Sequence, residues 1–195
     1  PIKKHKIMIN RKIILASKSP RRSQLLREAG FKFDIQTRDI EETYPSTLPA
    51  EEVAEFLAEK KAEGVKDFIK SNEIILTSDT TVVMGNTIFG KPKDAHDAFD
   101  ILKILSGKSH KVITGVCLMS KDKKRIFKGI SKVTFDTLSD SEIRYYINEF
   151  KPFDKAGAYA IQEWIGLCKI KKVKGTYSNI VGLPMRKVYK ELMKF

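Results

Sequence analysis

Short apolar runs alternate along this chain with segments whose apolar residues recur at helical spacing. Residues 12–16 and 74–77 are runs typical of buried strands, whereas 94–106 carries the apolar stripe of a helix. The pair Gly85-Asn86 separates two apolar triplets, which predicts an antiparallel hairpin with a two-residue turn. Alternating strands and helices favour parallel pairing, and the hairpin adds antiparallel pairing. We therefore expect an α/β fold with a mixed central sheet flanked by helices, which allows two lobes around a central cleft.

Other segments are predicted from the same signals. Ser19 suits the N-cap of a helix that starts at Pro20, Asp94 is predicted to cap the helix that ends at about Ser106, and Ser139 is predicted to start a helix to about Phe150. A long helix is predicted from Pro49 to about Ser71, and polar residues 78–81 are predicted to separate the strand at 74–77 from the hairpin. Residues 151–175 are predicted to be irregular apart from a strand at 167–171, and a last helix is predicted to begin at 182–184.

The composition is that of a soluble globular protein. Of 195 residues, 42% are hydrophobic and 31% are charged. The longest apolar runs, such as Ile74-Ile75-Leu76, are far shorter than the ~20 residues that span a bilayer, so no membrane contact is expected. Basic residues without any acid crowd the start of the chain. We predict a basic lead-in over residues 1–11 and one domain over residues 12–195.

The formal net charge of +13 favours partners that are polyanions, such as nucleotides or nucleic acid. Only eight of the 37 basic residues are arginines, so a generally Lys-rich composition explains the charge equally well. Because arginine is scarce, the adjacent pair Arg21-Arg22 stands out.

The cysteine and histidine positions favour a reducing compartment and argue against zinc. Cys117 and Cys168 lack the spacing of a metal site, and two buried thiols are a better explanation than a disulfide. No pair of histidines has the spacing of zinc ligands, and we expect His110 to fix a loop. The N-terminal residues lack an apolar signal region, which predicts the cytoplasm.

The segment Ser17-Lys18-Ser19-Pro20-Arg21-Arg22 joins a predicted strand to a helix N-terminus. Unpaired backbone N–H groups and the positive end of the helix dipole gather at such a junction, and two guanidinium groups add donors suited to phosphate. The segment therefore predicts an anion site. An ordinary capped helix with solvated arginines explains it equally well.

Asp79 is predicted to follow an apolar strand, where α/β proteins place functional groups. Together with Glu41 or Glu42 it would offer a carboxylate pair to a hard cation. Lys61 and Lys91 are candidate phosphate ligands. Taken singly, a turn-forming aspartate and solvated lysines are the more common explanations.

These segments together resemble the Maf family of nucleoside triphosphate pyrophosphatases. The matching segments occur in the family's order and are Ser17–Arg22, Ser78–Val82, Gly90–Pro92, Ser106–Val112, Thr114–Val116, Asp154–Tyr159, Ile161-Gln162 and Gly175–Pro184. The chain departs from the family at Ser78, at Ala160 and at Glu163-Trp164-Ile165-Gly166, which replaces a Gly-rich stretch. We expect these departures to reshape the mouth of the site.

The resemblance implies a Maf/ITPase-like fold, a homodimer, and cleavage of a nucleoside triphosphate to its monophosphate and pyrophosphate with a divalent metal cation, Mg²⁺ or Mn²⁺. It implies that Asp79 is the general base and shares the metal with Glu42, although the adjacent Glu41 remains an alternative for that ligand. The residues that it implies for phosphate binding are Ser17, Ser19, Arg22, Lys61 and Lys91.

The branch of the family that carries Arg-Arg and Ile-Gln acts on dTTP and UTP, and this chain has Arg21 and Gln162 at those positions. The resemblance therefore implies that Arg21, Thr80 and Gln162 set the base preference. Two other functions compete with this one: a non-enzymatic nucleic-acid-binding protein, which the acidic residues of the predicted cleft argue against, and a regulator of septum formation.

Overall fold

The computed structural model describes residues 9–195, so the first eight residues of the predicted lead-in lie outside the described part. Seven strands form one sheet in the order β2-β1-β3-β5-β6-β7, with β4 paired to β3. The strands are β1 (Lys12–Leu15), β2 (Phe33–Ile35), β3 (Glu73–Met84), β4 (Thr87–Phe89), β5 (Ser109–Met119), β6 (Lys124–Phe135) and β7 (Ile170–Lys174). β1 pairs in parallel with β2 and β3, and the other pairs are antiparallel. The predicted mixed sheet is confirmed.

Helices cover both faces of the sheet. They are α1 (Pro20–Glu28), α2 (Val53–Gly64), α3 (Ala95–Leu105), α4 (Asp140–Phe150), α5 (Trp164–Cys168), α6 (Tyr177–Val181) and α7 (Met185–Leu192). Ser19 caps α1, Asp94 caps α3, and Ser139 forms a capping box with Glu142 at the start of α4, so these predicted starts are confirmed. No helix among residues 9–195 combines the length and the apolar character that crossing a membrane requires.

The prediction that residues 78–81 interrupt the sheet was wrong, since β3 runs without a break from Glu73 to Met84. β5 pairs with β3 across these polar residues, from Ile75 to Val83. Three of these four side chains find partners inside the protein: Ser78 Oγ donates to Gly182 O at 3.3 Å, Asp79 accepts from Lys61, and Thr80 bonds to Thr114. Asp79 consequently lies within a strand rather than after one.

Three other predictions need correction. The long helix predicted for 49–71 is confined to Val53–Gly64, because the chain turns at 49–52 and a short 3-10 helix follows Val65. The strand predicted at 167–171 lies at Ile170–Lys174, behind the unpredicted helix α5. Helix α6 was also missed. Cys117 is buried, but Cys168 is exposed, contrary to the prediction of two buried thiols.

Two layers of helices bury the two faces of the sheet. On one face, Ile13, Leu76 and Leu118 pack with Leu26 of α1 and Val188 of α7. On the same face, Val82 of β3, Val112 of β5 and Phe135 of β6 pack against α3 and α4. On the opposite face Cys117 and Met119 pack against α2. A cleft opens at the edge of β3, between the helices that cover the two faces of the sheet.

Gly115 of β5 lies directly under helix α2, and a β-carbon at this position would approach the carbonyl atoms of Ala54 to 2.3 Å. Gly115→Ala should therefore lower the free energy of unfolding by about 1–3 kcal/mol or more, because backbone must move. Urea unfolding of both proteins measures the difference.

Gly90→Ala is the matched control, since a β-carbon there meets no atom within 4 Å. Equal unfolding midpoints for Gly115→Ala and the unchanged protein would contradict the close packing of α2 on β5.

Candidate active site

A cavity of about 610 Å³ opens beside β3, at the point where β1 ends. β1 pairs with β3 as far as Leu15 and Leu76, and Ala16 N–H still donates to Leu76 O at 2.9 Å before the chain turns towards α1. Between Leu76 and Val82, where β4 begins to pair, β3 has a neighbouring strand on the β5 side only. The cavity lining includes every residue predicted for the site: Ser17, Ser19, Arg21, Arg22, Glu42, Lys61, Asp79, Thr80, Lys91 and Gln162.

Lys61 joins two carboxylates at the base of the cavity. Its Nζ lies 2.5 Å from Asp79 Oδ1 and 2.8 Å from Glu42 Oε1. Asp79 points to the α2 face of β3 and is buried, whereas the Glu42 side chain is 47% exposed on the loop before α2. Glu41 is exposed and does not line the cavity, so Glu42 is the glutamate that faces Asp79.

The charges around Glu42 favour its ionised form. Partial burial by itself raises the pKa of Glu42, but the hydrogen bond and charge of Lys61, helped by Lys91 and Arg22, outweigh burial and hold that pKa below its ordinary value. No group of three or more His, Cys, Asp or Glu side chains among residues 9–195 is arranged to hold a metal ion. Any cation at this point would rest on Asp79, Glu42 and a bound ligand.

Arg22 points into the other side of the cavity and is held only by neutral groups. Its Nε donates to Gly182 O at 3.0 Å, its Nη2 to Thr80 Oγ1 at 3.1 Å, and its Nη1 to Ser17 Oγ at 3.4 Å. Among residues 9–195 no carboxylate forms an ion pair with it. Burial lowers the pKa of Arg22, since a cation loses its hydration there. A partly buried cation that faces a cavity and contacts no carboxylate can hold an anion.

Two serines complete this anion site at the start of α1. Ser17 Oγ accepts from Ser19 N–H at 3.2 Å, and Ser19 Oγ accepts from Arg22 N–H at 3.5 Å as the N-cap of the helix. Each hydroxyl acts as an acceptor in these bonds, so its own proton can be donated to a ligand. The expectation that this junction binds anions therefore gains support over the alternative of a solvated arginine pair.

Thr80 contacts Arg22 on the face of β3 opposite to the one that carries Asp79. Its hydroxyl accepts from Arg22 and lies 2.9 Å from Thr114 Oγ1, which itself donates to Asn179 O at 2.9 Å. Thr114 therefore accepts from the Thr80 hydroxyl and donates its own proton to the backbone carbonyl of Asn179. The hydroxyl of Thr80 is thus used within the protein, although the residue also lines the cavity.

The remaining predicted residues lie at the rim. Gln162 and Lys91 are exposed, and Arg21 reaches across the mouth to Asp154, with Nη1 3.4 Å from Oδ2. The partner Asp154 was not assigned a role from the sequence, although it opens one of the quoted segments. Only the fold brings it to Arg21, which lies 133 residues earlier in the chain.

Aromatic side chains anchor the segment that carries the rim. His110 Nε2 lies 2.7 Å from Tyr159 Oη, and both rings pack edge-on against Phe135. Burial lowers the pKa of His110 to about 4, so the ring is neutral at physiological pH. The prediction that His110 fixes a loop is confirmed, because Tyr159 lies in the loop that leads to Gln162.

Comparison with known proteins decides the family. The family model described as Maf-like protein matches residues 12–195. The chain belongs to the Maf family. The dTTP/UTP pyrophosphatase of Flavobacterium johnsoniae is 49% identical over 181 residues, which are 93% of each chain. That of Phocaeicola vulgatus is 48% identical over 94% of this chain and 95% of its own.

A solved structure, the Ham1 protein of Staphylococcus aureus, is 15% identical and covers 64% of this chain and 71% of its own, with a TM-score of 0.42. A similarity of this size carries no argument about the site. The Maf family membership rests on sequence, and it agrees with the ordered set of motifs.

The anion site of this Maf protein is tested with inorganic pyrophosphate. Arg22→Met should weaken pyrophosphate binding at least about tenfold, because it removes the guanidinium that faces the cavity without an ion pair, whereas Arg21 is paired with Asp154. Isothermal titration calorimetry at constant salt concentration measures the affinity.

Arg27→Met is the control, since Arg27 lies exposed on the same helix and outside the cavity lining. Equal losses of affinity in the two variants would mean that net charge, rather than the position of Arg22, attracts the anion.

Proposed function

We propose that this chain hydrolyses dTTP and UTP to the nucleoside monophosphate and pyrophosphate. The observation that carries the proposal is the pairing of two features in one cavity: Arg22, partly buried and in contact with no carboxylate, and Asp79 with Glu42 on Lys61. The first feature binds phosphate, and the second supplies carboxylates beside it. Relatives that are nearly half identical over most of the chain are named dTTP/UTP pyrophosphatases, which supports the substrate class.

Cationic side chains would hold the triphosphate and offset its charge. Arg22 and the hydroxyls of Ser17 and Ser19 face it from the α1 side, while Lys61 and Lys91 face it from the other side. Negative charge grows on the leaving pyrophosphate as the bond between the α- and β-phosphates breaks. Fixed cations in a partly dry cavity stabilise that charge more than water would.

Asp79 would act as the general base. Its Oδ1 is bonded to Lys61, whereas its Oδ2 accepts no hydrogen bond from the described residues. Asp79 would take a proton from water as the water oxygen bonds to the α-phosphorus. The bridging oxygen then leaves with the electron pair of the broken bond as part of pyrophosphate.

The donor set of the cavity fits a divalent cation, Mg²⁺ or Mn²⁺. Asp79 and Glu42 already converge on one positive charge, the Lys61 ammonium. Mg²⁺ is commonly bound by one or two carboxylates together with phosphate oxygens of the substrate, and two protein carboxylates therefore suffice. When bound, the cation would neutralise phosphate charge and act as a Lewis acid.

Gln162 at the rim would read the base. Its amide can donate to O4 of uracil or thymine and accept from N3–H, whereas a carboxylate can only accept. Arg21, held across the mouth by Asp154, lies on the facing side of the opening. This arrangement supports dTTP and UTP rather than guanine nucleotides.

We also propose that the enzyme acts in the cytoplasm as a homodimer. Analytical ultracentrifugation of the purified chain measures its mass in solution, and a monomer at every concentration would refute the dimer. Of the competing functions, nucleic-acid binding is favoured only by the net charge, while the carboxylates of the cavity repel a polyanion there.

Asp79→Asn should lower kcat for dTTP about 10²-fold or more, because an amide cannot take the proton and is a weaker metal ligand. Pyrophosphate release in the presence of Mg²⁺ or Mn²⁺ measures the rate. Asp100→Asn, which changes an exposed residue of α3, should leave it unchanged. Turnover by Asp79→Asn close to that of the unchanged protein would remove Asp79 from the mechanism.

Gln162→Glu should lower kcat/KM for dTTP and UTP about 10- to 100-fold and favour guanine nucleotides in relative terms. A carboxylate oxygen would then oppose O4, and two acceptors without a proton between them cost about 1–3 kcal/mol. The measurement is kcat/KM for dTTP, UTP, CTP and GTP.

Gln36→Glu introduces the same charge at an exposed position outside the cavity lining and serves as the control. If the ratio of dTTP to GTP is the same in Gln162→Glu and in the unchanged protein, Gln162 does not read the base.

A further inference from the structure

One buried hydroxyl holds both ends of the turn that carries Gln162. Tyr146 of α4 is completely buried, and its Oη accepts from Ala160 N–H at 3.0 Å while donating to a carboxylate oxygen of Glu163. Glu163 N–H in turn donates to Ala160 O at 3.2 Å and closes the turn. Gln162 therefore lies inside a four-residue turn whose two ends meet at one side chain of the core.

A chain of ion pairs extends from this turn to the opposite side of the mouth. Lys155 Nζ lies 3.5 Å from Glu163 Oε1 and 2.8 Å from Asp154 Oδ1. The other oxygen of Asp154 pairs with Arg21. The two predicted base-reading residues, Arg21 and Gln162, are thus connected through side chains that do not themselves read a base.

Glu163 is the first residue of the segment in which this chain departs from its family. Trp164, the bulkiest residue of that segment, does not line the cavity and packs against Tyr145 with ring centroids 5.3 Å apart. Glu163 is the residue that reaches the Gln162 turn. Its carboxylate accepts from Tyr146 and pairs with Lys155, so this clamp depends on the side chain at position 163.

Burial keeps the hydroxyl of Tyr146 in the form that can donate. Burial, and then the hydrogen bond to Glu163, raise the pKa of Tyr146 far above its ordinary value. Loss of the hydroxyl would leave Ala160 N–H and the Glu163 carboxylate without this partner, and the turn would open to other conformations. An amide that reads a base must keep its two polar atoms in register with the base edge.

We propose that Tyr146 and Glu163 are positioning residues for base selection: together they fix the Gln162 turn, and the preference for dTTP and UTP depends on them although neither touches the nucleotide. This inference rests on the proposed function. It adds two residues that act through Gln162.

The test compares Tyr146→Phe with Tyr145→Phe, the neighbouring tyrosine, which is half exposed and forms no side-chain hydrogen bond among the described residues. Tyr146→Phe should lower the dTTP-to-GTP ratio of kcat/KM about tenfold, the size expected for one misplaced hydrogen bond to the base. Binding of inorganic pyrophosphate should stay within about twofold, since the phosphate site is untouched. Tyr145→Phe should change neither quantity.

A second pair of variants separates positioning from folding. Glu163→Ala removes the acceptor and should reproduce the loss of selectivity, whereas Glu163→Gln keeps an acceptor for Tyr146 and should restore most of it. The double variant Tyr146→Phe with Glu163→Ala should lose no more selectivity than either single change, because both break the same clamp.

Amide hydrogen exchange follows the turn without relying on activity. Exchange of residues 160–163 should accelerate in Tyr146→Phe and not in Tyr145→Phe. Unchanged exchange, or equal losses of kcat/KM for dTTP and GTP, would overturn the inference. If the unchanged protein shows no preference for dTTP, the proposed function fails and this inference with it. If that preference is present and survives Tyr146→Phe, this inference alone fails.

Discussion

The cleft depends on a difference in length between two neighbouring strands. β1 accompanies β3 only to Leu76, while β5 follows β3 on its other side to Val83. Between Leu76 and Val82, where β4 begins to pair, the β1 side of β3 is open, and alternating side chains reach the opening from both faces of the sheet. Asp79 meets Lys61 of α2 on one face, and Thr80 meets Arg22 of α1 on the other. Neither helix could supply both charges to the same cavity.

The charges on the two sides of the cavity are balanced differently. Lys61 pairs with both Asp79 and Glu42, so these three groups together carry one excess negative charge, which suits a cation. Arg22 is desolvated among neutral acceptors and leaves its side positive. A metal-bound polyphosphate carries both signs of charge. It complements this arrangement better than a free cation or a free anion does.

Local signals in the sequence predicted some elements well and others poorly. The starts of α1, α3 and α4 could be predicted because a cap is made by a residue next to its helix, as with Ser19 and Asp94. The continuity of β3 could not, because its polar residues look like a turn until α2 and β5 supply partners for them. The short helices α5 and α6 have too few residues to show a helical period.

The sequence by itself determined the family, the mixed α/β class and ten of the residues that line the cavity, because ordered motifs and local caps are properties of neighbouring residues. The tertiary structure decided what those residues do to one another. Arg22 bonds to Gly182, 160 residues away, and Arg21 to Asp154, 133 residues away. The desolvation of Arg22 and its bonds to neutral acceptors arise only once these distant segments are packed together, and no pattern of neighbouring residues encodes them.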